Sequence, residues 1–302
     1  MFTSQIIRLI KDVKLWAIIR YLNLSYYRFV RVCPFIISST EETIDYIIKH
    51  RVSVSRYGDG EYRVMNNCGN GFQTPNVKLS KRLLEILQSR NPKHIICIPH
   101  TFSSVKGMKP FAQYFWMNFI VSNQKQIKNI TPKEYTYHDA LFTRFYMDYK
   151  DKSDSGRIIQ KIKKIWQGRH IYIIEGRGSK LGVGNDLFDN ADGISRIICP
   201  GKDAFSLYDN IYNKVVEIVP SGSLILLALG MTATVLAYDL STKGYQAIDI
   251  GHIDIEYCWF LMGAKEKCSI RGKAVNEVSD GANYTAMDPP PYTQSIIAEI
   301  GT

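Results

Sequence analysis

Two carboxylates separated by one residue, Asp59 and Glu61, stand in the segment Val54-Ser55-Arg56-Tyr57-Gly58-Asp59-Gly60-Glu61, where a short β-branched run meets a pair of glycines. That pairing has the chemistry of a cation grip. A hard divalent ion such as Mg2+ or Mn2+ prefers carboxylate oxygens, often takes only one or two from the protein, and leaves its other positions to water and substrate phosphates. Gly58 and Gly60 allow dihedrals that a side chain would forbid, so both carboxylates are expected to aim at one point, with Arg56 just upstream as a cation for the same ligand. Asp-Gly after a strand is also an ordinary turn, and the pair alone does not define a site.

Two further clusters have the residue types for chemistry. Gly176, Arg177, Gly178, Lys180, Gly182, Gly184, Asn185 and Asp186 form a glycine-rich run whose backbone N–H groups suit a phosphate or nucleotide. It is neither a dinucleotide fingerprint, because Leu181 stands where a third glycine belongs, nor a Walker A loop, because G-K-[ST] is missing. His252, Asp254 and Glu256 follow a strand pattern and could accept a proton from a sugar or alcohol hydroxyl. Their competing reading is architectural, with Asp254 as a helix cap and His252 as a satisfied core group. Arg144, a charge among apolar neighbours, calls for an anionic partner. With His138 it is placed in an aromatic, helical stretch from residue 101 to 149 that suits either core packing or an acceptor cleft.

The elements that must position these residues follow from periodicity. Ser39 and Glu42 have capping-box spacing ahead of a helix with Ile44, Ile47 and Ile48 on its apolar face. Strands are expected over 52–55 and 95–98, with a helix over 79–87 between them. From residue 157 the pattern alternates: helix 158–166, strand 170–174, the glycine-rich loop, strand 194–199, helix 204–218, strand 224–229, helix 232–240, strand 247–250 and a helix from 253. This predicts an α/β fold, Rossmann-like, with a mainly parallel sheet flanked by helices. Short all-apolar strands such as Leu224-Ile225-Leu226-Leu227 suit burial on both faces. In such sheets ligands bind at the carboxyl ends of the strands, where all three polar clusters fall.

Composition bounds the rest. The chain has 302 residues, 45% hydrophobic and 22% charged, enough for a sizeable core and too apolar for disorder. Its net charge of +10 favours polyanionic partners, but the basic residues are scattered and no nucleic-acid-binding motif is present, so nucleic acid is not expected. Six well-separated cysteines without metal spacing suit a reducing cytoplasm. Residues 1–38 form a basic amphipathic segment with no apolar run of the roughly 20 residues a bilayer span needs. The segment either packs on the domain or lies against an anionic leaflet, which would put the protein at the inner face of the plasma membrane. Residues 39–284 are expected to form the domain proper, and 285–302, with Pro289-Pro290-Pro291, a tail; from Asp280 the chain could also serve as an active-site flap.

Taken together, Ser55 to Glu61, Gly178-x-x-Leu181-Gly182-Val183-Gly184-Asn185-Asp186-Leu187-Phe188 and Gly251-His252-Ile253-Asp254-x-Glu256-Tyr257 resemble the bacterial glycosyltransferases of the GT-D fold class, over roughly residues 40–280. The resemblance implies a nucleotide-sugar fold in which a D-x-E motif, matching Asp59 and Glu61, holds Mn2+ or Mg2+ against the diphosphate of a donor such as a UDP-sugar. It also implies a glycan acceptor, lipid-linked or protein-linked, in surface polysaccharide or glycoprotein synthesis. Under that reading Arg56, Arg177 and Lys180 stabilise the leaving diphosphate, and an inverting transfer draws its base from Asp254 or Glu256, with His252 third. A metal-dependent phosphohydrolase would use the same carboxylates but normally more acidic ligands. A non-catalytic polyanion binder would account for the charge alone.

Overall fold

The structure, a computed structural model, describes residues 2–69, 71–275, 277–278 and 288–301, with side chains from residue 17 onward. The suggested flap over residues 280–287 lies outside these. The chain opens with helix α1 (Phe2–Val32) and a two-residue strand β1 (Ile36–Ile37), then α2 (Thr40–His50), β2 (Ser53–Arg56), α3 (Asp59–Met65), α4 (Val77–Leu87) and β3 (His94–Ile98). It continues through α5 (Pro110–Ile130), β4 (Thr136–Asp139), α6 (Ser155–Lys163), β5 (His170–Gly176), β6 (Gly193–Cys199), α7 (Tyr208–Ile218) and β7 (Leu224–Ala228). The last elements are α8 (Met231–Ser241), β8 (Gln246–Asp249), α9 (Ile253–Leu261), α10 (Pro290–Gln294) and β9 (Ile296–Glu299).

The nine described strands make one sheet in the order β1-β4-β3-β2-β8-β7-β5-β6-β9, and every ladder in it is parallel. The fold is the expected α/β sheet flanked by helices. Strand β7 shows why its sequence is uniformly apolar: Ile225 and Leu227 pack into the core under α1, α4, α5, α7 and α8, while Leu224 and Leu226 pack into the core on the opposite face with α2, α6 and α9. Neither face of such a strand meets water. The capping box before α2 forms as expected, Ser39 Oγ accepting from Glu42 N and Glu42 Oε2 from Ser39 N.

The fold departs from expectation in two places and bears on an open alternative in a third. The stretch 101–149 is not all helical: after α5, Thr136–Asp139 adds strand β4 beside β3. The segment 285–302 is not a loose tail, because Pro290 opens α10 and Ile296–Glu299 becomes the sheet's edge strand on β6. A proline at the first helical position is tolerated since its missing N–H would be unpaired there anyway. Of the two readings of the N-terminal segment, packing on the domain holds for the second half of α1. Leu22, Tyr26, Phe29 and Cys33 recur at helical spacing and are buried in the core, and Tyr26 Oη donates to Thr101 O at 2.7 Å. That contact fixes the second half of α1 to the domain. Of the six cysteines all are free, and Cys33, Cys97, Cys199 and Cys258 are buried.

Because Phe29 is fully buried in that core, Phe29→Ala should cost about 3–5 kcal/mol in urea unfolding. A cost below about 1 kcal/mol would show that α1 contributes little to the domain.

Candidate functional site

All strands being parallel, their carboxyl ends share one edge of the sheet. Chain connections build outward from β2 through β3 to β4 on one side, and the second half of the chain returns through β7 and β8 to pair with β2. Crevices for ligands open where two such halves meet. There the strands end in Arg56, Asp249 and Asp139.

Arg56 is the hub of that edge. Its Nε donates to Asp249 O at 2.9 Å, Nη2 to Asp249 Oδ1 at 2.9 Å, and Nη1 to Thr143 Oγ1 at 2.9 Å and Ala140 O at 3.2 Å. Rather than lying free for a donor, it ties the ends of β2 and β8 to the turn after β4. Gly251 makes room for this: at φ +45° it lies where a Cβ would sit 1.9 Å from Arg56 Nη2. Asp249 is buried, and the desolvation lifts its pKa even with Arg56 pulling the other way.

Asp59 and Glu61 are the first and third residues of α3, not parts of a left-handed turn. Gly58 is extended, at φ −121° and ψ −168°, and neither Gly58 nor Gly60 has a positive φ. Gly58 matters for space instead, since a Cβ there would touch Glu61 Oε2 at 3.4 Å. Glu61 Oε2 accepts from Gly58 N at 2.7 Å, which fixes its carboxyl over the helix start. Burial, with the negative charges of Asp249 and Asp59 nearby, pushes Glu61 up to about 7. Asp59 is more exposed and pairs with Arg63 at 3.6 Å. Crowded carboxylates at a cleft edge are relieved by a cation. Among the described residues no three or more His, Cys, Asp or Glu side chains are grouped to hold a metal, so a metal cage made wholly of protein ligands is not formed there. Two carboxylates completed by water and phosphate oxygens remain a fit for Mg2+ or Mn2+.

The three base candidates separate. Asp254 is buried and saturated: Lys273 Nζ lies 2.5 Å from Oδ2, while Gly182 N and Asn185 Nδ2 each donate to Oδ1 at 2.8 Å. It clasps the glycine-rich loop to α9. Glu256, also fully buried, accepts from Tyr146 N at 3.2 Å and Met147 N at 2.9 Å through Oε2; its Oε1 has no hydrogen-bond partner among the described residues. Burial raises it to about 7 in spite of Arg144. His252, at the N-terminus of α9, keeps partial exposure. Burial together with the charges of Arg144 and Arg56 holds it at about 4, neutral at pH 7.

Arg144 has the anionic partner its setting demanded, Glu277 Oε1 at 2.6 Å, and Glu277 also pairs with Lys267 at 2.5 Å. Against the upward push of burial, Arg144, His252 and Lys267 hold Glu277 well below the usual carboxylate range. His138, by contrast, lies in β4 with its ring 4.7 Å from that of Tyr46 in α2. It is held near 4 by burial.

The glycine-rich loop is held by the protein itself. Lys180 pairs with Asp288 at 2.5 Å, Arg177 with Glu299 at 2.6 Å, and Asp186 with Lys163 at 3.0 Å and Tyr257 Oη at 2.5 Å. Leu181, Leu187 and Phe188 are core residues. Gly182 and Gly184 have φ of +74° and +76°, and a Cβ at 182 would lie 2.5 Å from Phe188 Cδ2, so these glycines serve the turn. Gly176 lies against Gly201, and Gly178 O accepts from Ala274 N.

Sequence reasoning did not single out Asp249, Thr143 or the Asp139–His100 pair. A visible signal existed for Asp249, a lone carboxylate between Ile248 and Ile250 in a buried strand. Asp139 Oδ1 accepts from Leu141 N at 2.9 Å and meets His100 Nδ1 at 3.1 Å, and its Oδ2 accepts from Thr40 Oγ1 at 2.6 Å. One cavity of about 300 Å3 lies between α3 and α5, lined by Arg63, Phe115, Asn118, Phe119 and Asn123 among others.

An all-parallel sheet flanked by helices, with an acidic helix start where its central strands end, defines an α/β domain of the kind that binds ligands at the carboxyl ends of its strands. The family model for the glycosyltransferase GT-D fold matches residues 54–278, and the chain belongs to that family. It is 35% identical over 265 residues to glycosyltransferase GlyD of Streptococcus pneumoniae serotype 4, and 36% identical over 263 residues to a probable glycosyl transferase Gly of Streptococcus gordonii. Those alignments take in 87% of this chain but 32% and 38% of the relatives, so the chain spans about a third of their length. A solved structure of domain of unknown function 1792, described as having a distinct glycosyltransferase fold, superposes with a TM-score of 0.87 at 36% identity, covering 92% of this chain and 100% of that one. A new glycosyltransferase of the same domain type from Streptococcus sanguinis gives a TM-score of 0.83 at 36% identity, over 88% and 99% of the two chains.

Two outcomes test these assignments. Asp254→Ala leaves Lys273 buried without its partner and should cost about 3–5 kcal/mol in urea unfolding; unchanged stability would return Asp254 to the list of free carboxylates. The second concerns pH. Against burial, His100, Thr40 and Leu141 lower the pKa of Asp139, so its contribution is present above the ordinary value of about 3.9 and is lost as pH falls through the lowered one. Asp139 raises His100 despite burial, so that contribution is full below about 6.5 and fades as pH rises through the higher folded value. The pair should therefore stabilise most between about pH 4 and 6.5, and Asp139→Asn should flatten the dependence of the urea midpoint on pH across that window.

Proposed function

We propose that this domain moves a sugar from a nucleoside diphosphate donor, with a UDP-sugar as first choice, to a hydroxyl of a glycan acceptor in surface polysaccharide or glycoprotein synthesis. Mg2+ or Mn2+ would be held by Asp59 and Glu61. The observation that carries the reading is the placement of these two carboxylates at a helix start beside the β2–β8 crevice, next to a third, Asp249, that is already neutralised by Arg56. When bound, the cation supplies positive charge to the donor diphosphate as the glycosidic bond breaks. Arg56 does not compete for that charge; it fixes the floor of the crevice. The half-buried Arg144–Glu277–Lys267 cluster, whose charges act on His252, supplies a polar wall.

For the acceptor step His252 is the residue of choice, because burial and the charges of Arg144 and Arg56 keep it neutral at pH 7 and it keeps partial exposure. Its ring nitrogen takes the acceptor's hydroxyl proton while that oxygen bonds to the anomeric carbon and the diphosphate leaves, a single displacement with inversion. An anionic donor nearby favours the protonated imidazole and so aids the transfer. The acceptor, lipid-linked or protein-linked, would enter by the cavity beside Arg63, where Phe115 and Phe119 offer rings and Asn118 and Asn123 offer amides, the usual mixture for a sugar face.

Asp59→Asn and Glu61→Gln should each lower kcat by at least about 100-fold without loss of fold. The helix start is kept in the Glu61→Gln variant, since the amide oxygen introduced there can still accept from Gly58 N. A thermal-shift panel of nucleotide sugars with and without Mn2+, with sugar transfer measured alongside, checks both points. Turnover unchanged in either variant, or donor binding indifferent to the cation, would remove the reading.

A further inference from the structure

Helix α1 presents two apolar stripes, and the domain covers only one. Leu22, Tyr26, Phe29 and Cys33 face the core, whereas Leu24 and Tyr27, on the other side of the helix, are 67% and 62% exposed. Toward the N-terminus the helix outruns the domain: Ile18 and Ile19, near the phase of the buried stripe, are 48% and 42% exposed. The helix is 31 residues and about 46 Å long, and in sequence Phe2, Ile6, Leu9, Val13 and Trp16 repeat at the helical phase of Leu24 and Tyr27, with Arg20 and Arg31 in the same row. Apolar residues on a helix face that the domain leaves uncovered mark a contact surface.

Charge identifies what covers this one. Within α1 stand six basic residues, Arg8, Lys11, Lys14, Arg20, Arg28 and Arg31, against one acid, Asp12, so one tenth of the chain holds half of its +10 excess. A second copy docking here would bring two such cationic helices together and be repelled. A surface that is apolar within and negatively charged at its rim is complementary instead. We propose that the outward face of α1 docks on an anionic lipid surface, lying in the interface with Leu24 and Tyr27 turned toward the acyl boundary and Arg28 and Arg31 toward the headgroup phosphates. No described helix is long and apolar enough to cross a membrane, which fits a helix lying on one. This inference does not depend on the transferase reading.

The test is co-sedimentation of the full chain with phosphatidylcholine vesicles and with vesicles enriched in phosphatidylglycerol, at low and high salt. Binding is expected to the anionic vesicles alone, weakened by salt. Leu24→Glu combined with Tyr27→Glu, both at exposed positions, should abolish it, and Arg28→Glu combined with Arg31→Glu should lower partitioning by about tenfold or more. Circular dichroism and thermal unfolding of both variants should match the unaltered chain, so lost binding would not reflect lost fold. Equal sedimentation with neutral and anionic vesicles, none with either, or a dimer that the Leu24→Glu/Tyr27→Glu variant dissociates would overturn the proposal. Sugar transfer to a water-soluble acceptor, unchanged in these variants, keeps the outcome separate from that of the active-site test.

Discussion

The Arg56–Asp249 pair is the constraint on which the cleft depends. It joins the last residues of two adjacent strands that come from opposite halves of the chain, and through Thr143 and Ala140 it also fixes the turn after a third. Because both side chains are largely buried, neither tolerates loss of the other; an uncompensated charge in that position is far costlier than the pair is stabilising. The pair also sets where the functional helices start. α3 begins three residues beyond Arg56 and α9 four beyond Asp249, so tying the strand ends fixes where both begin, α3 packing on one face of the sheet and α9 on the other. Gly251 is the steric condition for this, since its missing Cβ is the space that the guanidinium fills.

The architecture was legible because it rests on local pattern. Buried parallel strands read as short apolar runs, and the helices between them as periodic ones, with β5, β6, β7 and β8 falling within two residues of expectation. Side-chain roles were less legible, for a reason that His252, Asp254 and Glu256 make plain. Residues two apart on a helix point in nearly opposite directions. Asp254 therefore turns to the glycine-rich loop and Lys273, and Glu256 to the backbone of Tyr146 and Met147, although in sequence they look like a pair. Asp59 and Glu61 are subject to the same geometry, and Glu61 is drawn back over the helix start by its bond to Gly58 N.

Long-range partners account for the rest. Arg177, Lys180 and Asp186 had the composition of a phosphate loop, but their counter-charges lie at Glu299, Asp288 and Lys163, and no local rule could pair them. The same contacts explain why residues 288–300 are not a tail. Arg196, buried between Glu175 and the ring of Tyr292, and donating to Ser295 Oγ, draws the edge strand onto the sheet. Three consecutive prolines hid this, because proline marks the end of an element more often than its beginning.

Helix α5 connects the two proposals. One of its faces, with Trp116 and Ile120, belongs to the core that α1 closes, and residues Phe115, Asn118, Phe119 and Asn123 line the cavity beside Arg63. Arg63 in turn is one helical turn from Asp59 and pairs with it. An acceptor arriving in a lipid layer on which α1 rests would thus meet the cavity one helix away and the acidic helix start one turn beyond. On this arrangement the cationic N-terminus serves the lipid surface: α1 holds half of the +10 excess, whereas at the strand ends Arg56 is matched by Asp249 and Arg144 by Glu277. Membrane docking would raise the local concentration of a lipid-linked acceptor and leave the chemistry at the crevice unchanged, which predicts that the benefit of docking vanishes for an acceptor released from its lipid.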